Sequence, residues 1–130
     1  MSQDYFANIF QSFNDKNILI LGDVMIDSYL WGDVNRISPE APVPILSGIG
    51  RENRLGGAAN VALNIQALGA KPILCSVIGD DLRSHDFFKL LKKQKLSKEG
   101  IVTCQQRMTT VKTRVISQHQ HLLLVQYHQP

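Results

Sequence analysis

Two unbroken apolar runs constrain the fold of this 130-residue chain more than any other feature. The first is NILILGD at 17–23 and the second is KPILCSVIGDD at 71–81, and each ends in a Gly-Asp turn. Apolar runs of this length are typical of strands buried in a parallel sheet, whereas half-exposed strands alternate apolar and polar residues. Parallel strands need crossover connections, so the pattern predicts helices between them.

Helical patterns follow each of these runs. Residues 58–68, AANVALNIQAL, predict a closely packed helix that ends before Gly69. Residues 82–94 place apolar side chains on one side, and Asp80 or Asp81 is suited to cap the start of that helix. The order strand, helix, strand, helix predicts an α/β fold with a mainly parallel sheet.

The remaining segments predict a second set of strands. Residues 24–36 alternate with a period of two, and residues 37–44 contain three prolines, which suits an ordered loop rather than a helix or a central strand. Residues 109–129 are β-branched and alternating, which predicts two strands joined by a hairpin at residues 118–120. One more helix, with an apolar face, is predicted at 4–15.

Composition bounds the function class. The chain is 44% hydrophobic and 19% charged, as expected of a globular domain, and its net charge of +3 is too small and scattered to indicate nucleic-acid binding. Cys75 and Cys104 have no CxxC spacing, so we expect two buried thiols in a reducing compartment. Without a signal-peptide pattern or a long apolar stretch, we expect a cytoplasmic protein with no membrane partner.

Asp27 is the first candidate site residue. It lies in GDVMID at 22–27, directly after the first predicted strand, and ligands of open α/β sheets bind beyond the carboxyl ends of the strands. A carboxylate there can accept hydrogen bonds from two neighbouring sugar hydroxyls. A surface residue at a strand edge explains Asp27 equally well. We expect Asp23 to be a turn residue that hydrogen-bonds local backbone.

The stretch RLGGAANVALN at 54–64 is the second candidate. Gly56 and Gly57 free the backbone to approach a ligand, and Asn60, in the first helical turn, offers both a donor and an acceptor. Close helix packing explains the two glycines as well. The stretch is neither a Walker A loop nor GxGxxG, which counts against a dehydrogenase-type nucleotide site.

Basic residues at strand-like positions are the third candidate. Lys112 and Arg114 are two residues apart and therefore share one face of a strand, and Arg36 lies in the earlier alternating segment. Such cations suit a phosphate group, but they also suit an edge strand protected by charge. His119 and His121 lack a carboxylate or cysteine at a supporting spacing, so we expect no metal site.

Three segments, taken in order, closely resemble the N-terminal part of the ribokinase-like (PfkB) sugar kinase family. They are ILILGDVMIDSYLWGDVNRISPEAPVPIL, RLGGAANVALNIQALGAKPILCSVIGDD and MTTVKTRVISQHQHLLL, and together they span most of residues 17–123. Within the family the match is greatest to kinases of D-glycero-β-D-manno-heptose 7-phosphate. The resemblance implies that residues 1–130 are the N-terminal portion of one ribokinase-like domain. Its mainly parallel sheet would be flanked by helices, a small β-lid would come from strands at about 28–50 and 110–127, and residues 1–16 would form an extra helix.

The resemblance also implies a role for each candidate residue. Asp27 would bind sugar hydroxyls, Gly56, Gly57 and Asn60 would line the floor of the sugar site, and Arg36, Lys112 and Arg114 would face the substrate phosphate. The complete enzyme would use ATP and Mg²⁺ to phosphorylate the anomeric hydroxyl of a heptose 7-phosphate, in the synthesis of ADP-heptose for lipopolysaccharide. In relatives, the lid often also forms a homodimer interface.

One motif of the family does not occur in these 130 residues. It is Gly-Ala-Gly-Asp, which supplies the catalytic base and the anion hole, and the ATP site of the family also lies in the later half of the domain. Phosphoryl transfer needs donor, metal and base held together. We therefore expect this chain alone to be inactive and to bind neither ATP nor Mg²⁺. The alternative is a non-catalytic module that dimerises through the lid or binds a sugar phosphate.

Overall fold

The computed structural model describes residues 3–118 and 120–127. In chain order, the elements are α1 (Gln3–Ser12), a 3₁₀ turn (Phe13–Asp15), β1 (Asn17–Leu21), β2 (Val24–Ile37), β3 (Pro44–Gly57), α2 (Ala58–Ala67), β4 (Lys71–Gly79), α3 (Leu82–Lys93), β5 (Ile101–Cys104), β6 (Val111–Ser117) and β7 (Gln120–Tyr127). None of the helices in these ranges is long and apolar enough to cross a membrane.

Three strands form the parallel sheet, in the order β1-β4-β5. The two apolar runs of the sequence are its first two strands, which pair in parallel from Asn17 beside Lys71 to Leu21 beside Cys75. The third strand, β5, follows α3 and pairs in parallel with β4. The sequence pattern did not predict β5. Helices α2 and α3 are the crossovers, which confirms the predicted alternation of strands and helices.

Burial of the parallel sheet differs between its two faces. Ile20, Leu74 and Ile78 are buried in the core beside residues of α2 and α3. On the other face, Leu19 and Leu21 are 66% and 83% exposed. The prediction that these strands are buried is therefore correct for one face and wrong for the other within the described residues.

The other four strands form the lid sheet, in the order β3-β2-β6-β7. The β2–β3 and β6–β7 pairs are antiparallel and the β2–β6 pair is parallel. This sheet is larger than the small lid that was predicted, because β2 and β3 are 14 residues long and β3 continues to Gly57 rather than ending near residue 50. The proline-rich segment 38–43 lies between them outside any helix or strand, as predicted.

Both sheets share one hydrophobic core. Phe87 and Leu91 of α3, which are 0% and 1% exposed, pack with residues of β1, β2 and β4 and with Ala59 and Ala62 of α2. Alanine at these two positions of α2 removes side-chain bulk, so the helix backbone lies close to its neighbours. The core thereby fixes the first residues of β2 and the start of α2 relative to each other.

Asp81 caps α3, which resolves the choice between Asp80 and Asp81. Its Oδ1 accepts a hydrogen bond from the Ser84 N–H at 2.9 Å, and its Oδ2 accepts one from the Thr109 N–H at 2.7 Å. Burial alone would raise the pKa of Asp81, but these backbone donors outweigh it and hold the pKa below its ordinary value. Asp81 therefore ties the start of α3 to the segment that leads into β6.

Candidate functional site

Asp27 lies in the middle of the lid sheet, on β2. The strand register places it between Arg54 of β3 and Lys112 of β6. Its neighbours in sequence, Ile26 and Ser28, are buried on the core side, so Asp27 points to the opposite face because side chains alternate along a strand. The carboxylate is thus carried on the side of the lid sheet that faces away from the core.

Arg114 holds the Asp27 carboxylate. Its Nη1 donates to Asp27 Oδ1 at 2.6 Å, and the side chains of Arg114 and Asp27 are only 23% and 19% exposed. The hydrogen bond to Asp27 raises the pKa of the Arg114 guanidinium above its ordinary value, against the opposing effect of burial. A short, partly buried, charge-assisted bond of this kind fixes the orientation of the carboxylate.

Gly56 and Gly57 are required by close approaches at the junction of β3 and α2. A Cβ on Gly56 would collide with the Asp27 carboxylate, and a Cβ on Gly57 would collide with the carbonyl oxygen of Asp23. Gly57 also has a φ of +60°, which disfavours other residues. The Ala58 N–H donates to that same carbonyl oxygen at 2.9 Å. The two glycines therefore bring the start of α2 and the Asp27 carboxylate together.

The three cations predicted to face a phosphate are not all in one place. Lys112 lies beside Asp27, and Arg114 lies beside Tyr29 on the same face of β6. Arg36 is exposed and pairs with Ile45 near the far end of β2. Each residue advances a strand by about 3.3 Å, which puts Arg36 roughly 30 Å from Asp27 along the strand. The structure thus brings Lys112 and Arg114 to the carboxylate but not Arg36.

Asn60 is exposed in the first turn of α2. It lines a cavity of about 210 Å³ between β3, α2 and α3, together with Arg54 and Leu90. Asp27 is not part of that lining. Asn60 therefore has no described contact with the Asp27–Arg114 pair, and the structure does not bring it to that pair.

Sequence reasoning missed an aromatic and charged group beside Asp27. The Tyr29 ring lies under two guanidinium groups, Arg54 at 5.0 Å and Arg114 at 5.3 Å, and stacks on Trp31 at 6.0 Å. Arg54 donates two hydrogen bonds to Glu52, at 2.8 and 3.0 Å, which lower the pKa of the Glu52 carboxyl and raise that of the guanidinium. Alternation in RENR at 51–54 was the available signal, because Glu52 and Arg54 share a face.

Asp23 behaves differently from its prediction as a residue that bonds local backbone. Its side chain accepts a hydrogen bond at 2.9 Å from the Nη2 of Arg107, which is 84 positions away in the sequence. Cys75 and Cys104 are free thiols, but both are partly exposed rather than buried as predicted. His119 lies outside the described residues. Among residues 3–118 and 120–127, no group of three or more His, Cys, Asp and Glu side chains could hold a metal ion.

The arrangement suits a polyhydroxylated anion. The oriented carboxylate of Asp27 can accept hydrogen bonds from hydroxyl groups, and Lys112 supplies a positive charge on the same face. The Tyr29 ring adds an apolar surface, with cations above it that also attract an anion. Gly56 keeps side-chain bulk away from the carboxylate.

Comparison with known proteins shows the family of this chain. The model of the pfkB family of carbohydrate kinases matches residues 15–129. The Bifunctional protein HldE of Helicobacter pylori strain P12 is 50% identical over 111 residues, which are 85% of this chain and 24% of that protein. The same-named protein of Pelobacter propionicus is 38% identical over 125 residues, which are 96% of this chain and 26% of that protein. The chain therefore spans about a quarter of the length of these curated relatives.

Solved structures agree on the fold. A fructokinase from Halothermothrix orenii matches with a TM-score of 0.60 and 26% identity, over 86% of this chain and 37% of that chain. A fructokinase with bound ATP from Xylella fastidiosa matches with a TM-score of 0.61 and 20% identity, over 88% of this chain and 31% of that chain. Since the family model covers nearly the whole sequence, this chain belongs to the pfkB family of carbohydrate kinases and has the ribokinase-like α/β fold.

Proposed function

We propose that this chain is the substrate-binding part of an ATP-dependent kinase that phosphorylates the anomeric hydroxyl of a heptose 7-phosphate, in the synthesis of ADP-heptose. The observation that carries the proposal is the Asp27–Arg114 pair, held at 2.6 Å against Gly56 on the outward face of the lid sheet. Membership of a carbohydrate kinase family supports a sugar as the substrate. The proposal that this sugar is a heptose rests on the segments RISPEAPVP and TTVKTRV and on the 38–50% identity to proteins named HldE.

Each residue has a distinct part in the proposed binding. Asp27 accepts hydrogen bonds from sugar hydroxyls, and Arg114 orients its carboxylate. Lys112, which has no side-chain partner among the described contacts, attracts the 7-phosphate. Gly56 and Gly57 form the floor of the site, with Asn60 at its edge. Arg36 is a phosphate contact in this proposal only if the lid sheet bends or a second subunit brings it near.

ATP and Mg²⁺ belong to the proposed reaction of a complete kinase domain. ATP would supply the phosphoryl group, and Mg²⁺ would neutralise its charge during transfer. The described residues provide no cluster that fits a metal ion, and the Gly-Ala-Gly-Asp motif is absent from the sequence. We therefore assign both to the remainder of a kinase domain. This chain by itself is proposed to bind the sugar phosphate without transferring phosphate.

Calorimetry with heptose 7-phosphate tests the binding directly. Asp27→Asn should weaken binding by about 10- to 100-fold, the value of a hydrogen bond to a charged group. Asp33→Asn, the same change on the same strand at an exposed position, should have no effect. Lys112→Gln should weaken binding of the phosphorylated sugar and leave the weaker binding of the unphosphorylated heptose unchanged. Equal affinity in the Asp27→Asn and Asp33→Asn variants would show that the site is assigned wrongly.

Kinase activity is the second test. The chain combined with the C-terminal part of the kinase region of the Helicobacter pylori relative should phosphorylate heptose 7-phosphate when ATP is supplied. Asp27→Asn should abolish most of that activity, and Asp33→Asn should preserve it. Activity that prefers an unphosphorylated sugar would support the proposed kinase activity but contradict heptose 7-phosphate as its substrate.

A lid dimerisation module is the second candidate function. Leu122, Leu123 and Leu124 are 41–56% exposed on β7, which is an edge strand of the lid sheet. An apolar cavity of about 690 Å³ opens on the core-side face of the same sheet, beside Leu30 and Tyr127. Light scattering after size-exclusion chromatography separates the two functions. A stable dimer that does not bind heptose phosphate would favour this module.

A further inference from the structure

Arg54 is a cation beside Asp27 to which the proposed function gives no part. It lies on β3 directly opposite Asp27, and residues paired across two antiparallel strands share one face of a sheet. Its side chain is therefore on the same outward face of the lid sheet as the Asp27 carboxylate. The guanidinium lies 5.0 Å from the centre of the Tyr29 ring, two residues further along β2. Arg54 thus reaches along the site from Asp27 toward Tyr29.

Glu52 holds Arg54 along one edge of the guanidinium. Arg54 Nε donates to Glu52 Oε1 at 2.8 Å and Nη2 donates to Oε2 at 3.0 Å, which is a bidentate contact. The Tyr29 ring packs against the same guanidinium and adds a second restraint. Both charged side chains are about half exposed, so the ion pair adds little to stability. Its consequence is a fixed orientation of Arg54.

The other edge of the Arg54 guanidinium faces no protein acceptor among residues 3–118 and 120–127. A guanidinium carries five N–H donors, and the described contacts with Glu52 use two of them. Nη1 and the second N–H of Nη2 therefore form a fork of parallel donors. Such a fork matches two oxygens of a phosphate group in spacing and in charge.

The other two cations of the site are less suited to a bidentate phosphate contact. Arg114 already donates to Asp27 at 2.6 Å. Lys112, on the other side of Asp27 from Arg54, carries a compact charge that attracts an anion without fixing its geometry. The three cations outnumber the two carboxylates, Asp27 and Glu52, so this face keeps a net positive charge that favours an anionic ligand.

We propose that Arg54 is the specificity-determining residue of the site, whose fork binds the phosphate group of a sugar phosphate through two parallel hydrogen bonds. Glu52 is then a positioning residue, which acts only through Arg54. The inference rests on the proposed function, because it names the side chain that selects a phosphorylated over an unphosphorylated sugar at the Asp27 site. Lys112 attracts the phosphate at longer range, and Arg54 fixes where it lies.

Calorimetry with heptose 7-phosphate and with unphosphorylated heptose tests this selection. Arg54→Gln should weaken binding of the phosphorylated sugar by about 10- to 100-fold, the value of hydrogen bonds to a charged group, and leave the affinity for heptose unchanged. Arg54→Lys keeps the charge but not the fork, so it should restore only part of the loss. Arg51→Gln is the matched control, an exposed arginine of the same strand on the opposite face, and should change neither affinity.

Glu52→Gln tests the positioning role. It should weaken binding of heptose 7-phosphate by about three- to tenfold in the wild-type chain and have no further effect in the Arg54→Gln variant, because its contribution passes through the arginine. Losses that add in full would overturn that role. Glu52 and Arg54 are about half exposed, so the variants should keep the melting temperature of Arg51→Gln.

The same measurements separate this inference from the proposed function. Equal binding of heptose 7-phosphate by Arg54→Gln and Arg51→Gln, or equal weakening of both sugars by Arg54→Gln, would overturn the role of Arg54 alone. If Asp27→Asn leaves binding unchanged while Arg54→Gln weakens it, the phosphate contact stands and the assignment of Asp27 is overturned. A wild-type chain that binds neither sugar would overturn both.

Discussion

The parallel sheet and the lid sheet differ in what their faces carry. The lid sheet has an apolar face toward the core and an opposite face with Asp27, Arg114 and Tyr29. The parallel sheet is apolar on both faces and has no charged pair of this kind among its described residues. The residues proposed to bind the substrate therefore lie in the lid sheet. The parallel sheet supplies the scaffold.

Strand β2 connects the two sheets functionally. Val24 and Ile26 are 2% and 1% exposed and belong to the shared core, while Asp27 directly after them belongs to the site. Because side chains alternate, a step of one residue separates a core position from the position proposed to bind the ligand. The stability of the core thus determines how well the carboxylate is held, and the comparison between the sheets can be tested by substitution.

The largest expected effect is on the core that supports the parallel sheet. Phe87→Ala should lower the free energy of unfolding by about 3–5 kcal/mol, because a fully buried aromatic ring is replaced by a cavity. Phe10→Ala, at a position that is 53% exposed on α1, should change it by less than about 0.5 kcal/mol. Urea unfolding followed by circular dichroism measures both. Similar values for the two would mean that α3 does not anchor the core.

Gly56→Ala should have the next largest effect on stability, and this effect should arise in the lid sheet. The added Cβ would collide with the Asp27 carboxylate, so we expect a loss of about 1–3 kcal/mol in unfolding free energy and weaker sugar phosphate binding. Gly50→Ala is the matched control on the same strand, since a Cβ there meets nothing within 4 Å. Calorimetry and urea unfolding together check this. If Gly56→Ala binds as tightly as Gly50→Ala, the carboxylate is not the ligand contact.

Asp81 links the two sheets and makes stability depend on pH. Asp81→Ala should cost about 0.5–2 kcal/mol at neutral pH, as loss of a helix cap does. The pKa of Asp81 is lower in the folded chain, so its contribution is present above the unfolded pKa and disappears as pH falls through the folded pKa. The difference between wild type and variant should therefore shrink in acid. Asp80→Ala, beside it, removes no helix-cap hydrogen bond and should cost less than Asp81→Ala at neutral pH.

The smallest expected effect on stability comes from the exposed face of the parallel sheet, which carries Leu19 and Leu21. Leu21→Ala should change the unfolding free energy of this chain by less than about 0.5 kcal/mol, because Leu21 is already 83% exposed. The same substitution at Leu74, which is 3% exposed on the opposite face, should cost about 2–5 kcal/mol. Equal costs at the two positions, measured by urea unfolding, would mean that the two faces of the parallel sheet do not differ.

Much of the fold was predictable because its signals are local. The apolar runs at 17–23 and 71–81 predicted β1 and β4, and the pattern at 82–94 predicted α3 to within a residue at each end. Strand β5 was missed because four residues, Ile101–Cys104, are too few to show a period. The full length of β3 was also missed, since Gly56 and Gly57 resemble a helix start as much as a strand end.

The site was predictable only in part because its contacts are not local. Asp27 and Arg114 are 87 positions apart, and nothing in their spacing shows that they form a pair. The cluster of Tyr29 with Arg54 depends on the β2–β3 register. In that register Arg54 lies directly beside Asp27, and its guanidinium lies over the Tyr29 ring, two residues further along β2. Arg36 fitted the pattern of a phosphate-binding cation, but its distance along β2 from Asp27 follows only from the strand length.

The sequence by itself determined the classes of element, the glycines at the junction of β3 and α2, and the family, since each depends on residue type and short-range order. Only the tertiary structure decided that Gly56 is needed by a carboxylate 29 positions earlier, and that Arg114 orients that carboxylate. It also showed that one face of the parallel sheet, with Leu19 and Leu21, is exposed among the described residues. The physical reason is that apolar runs encode burial without stating what covers them, whereas packing and strand register settle which groups meet.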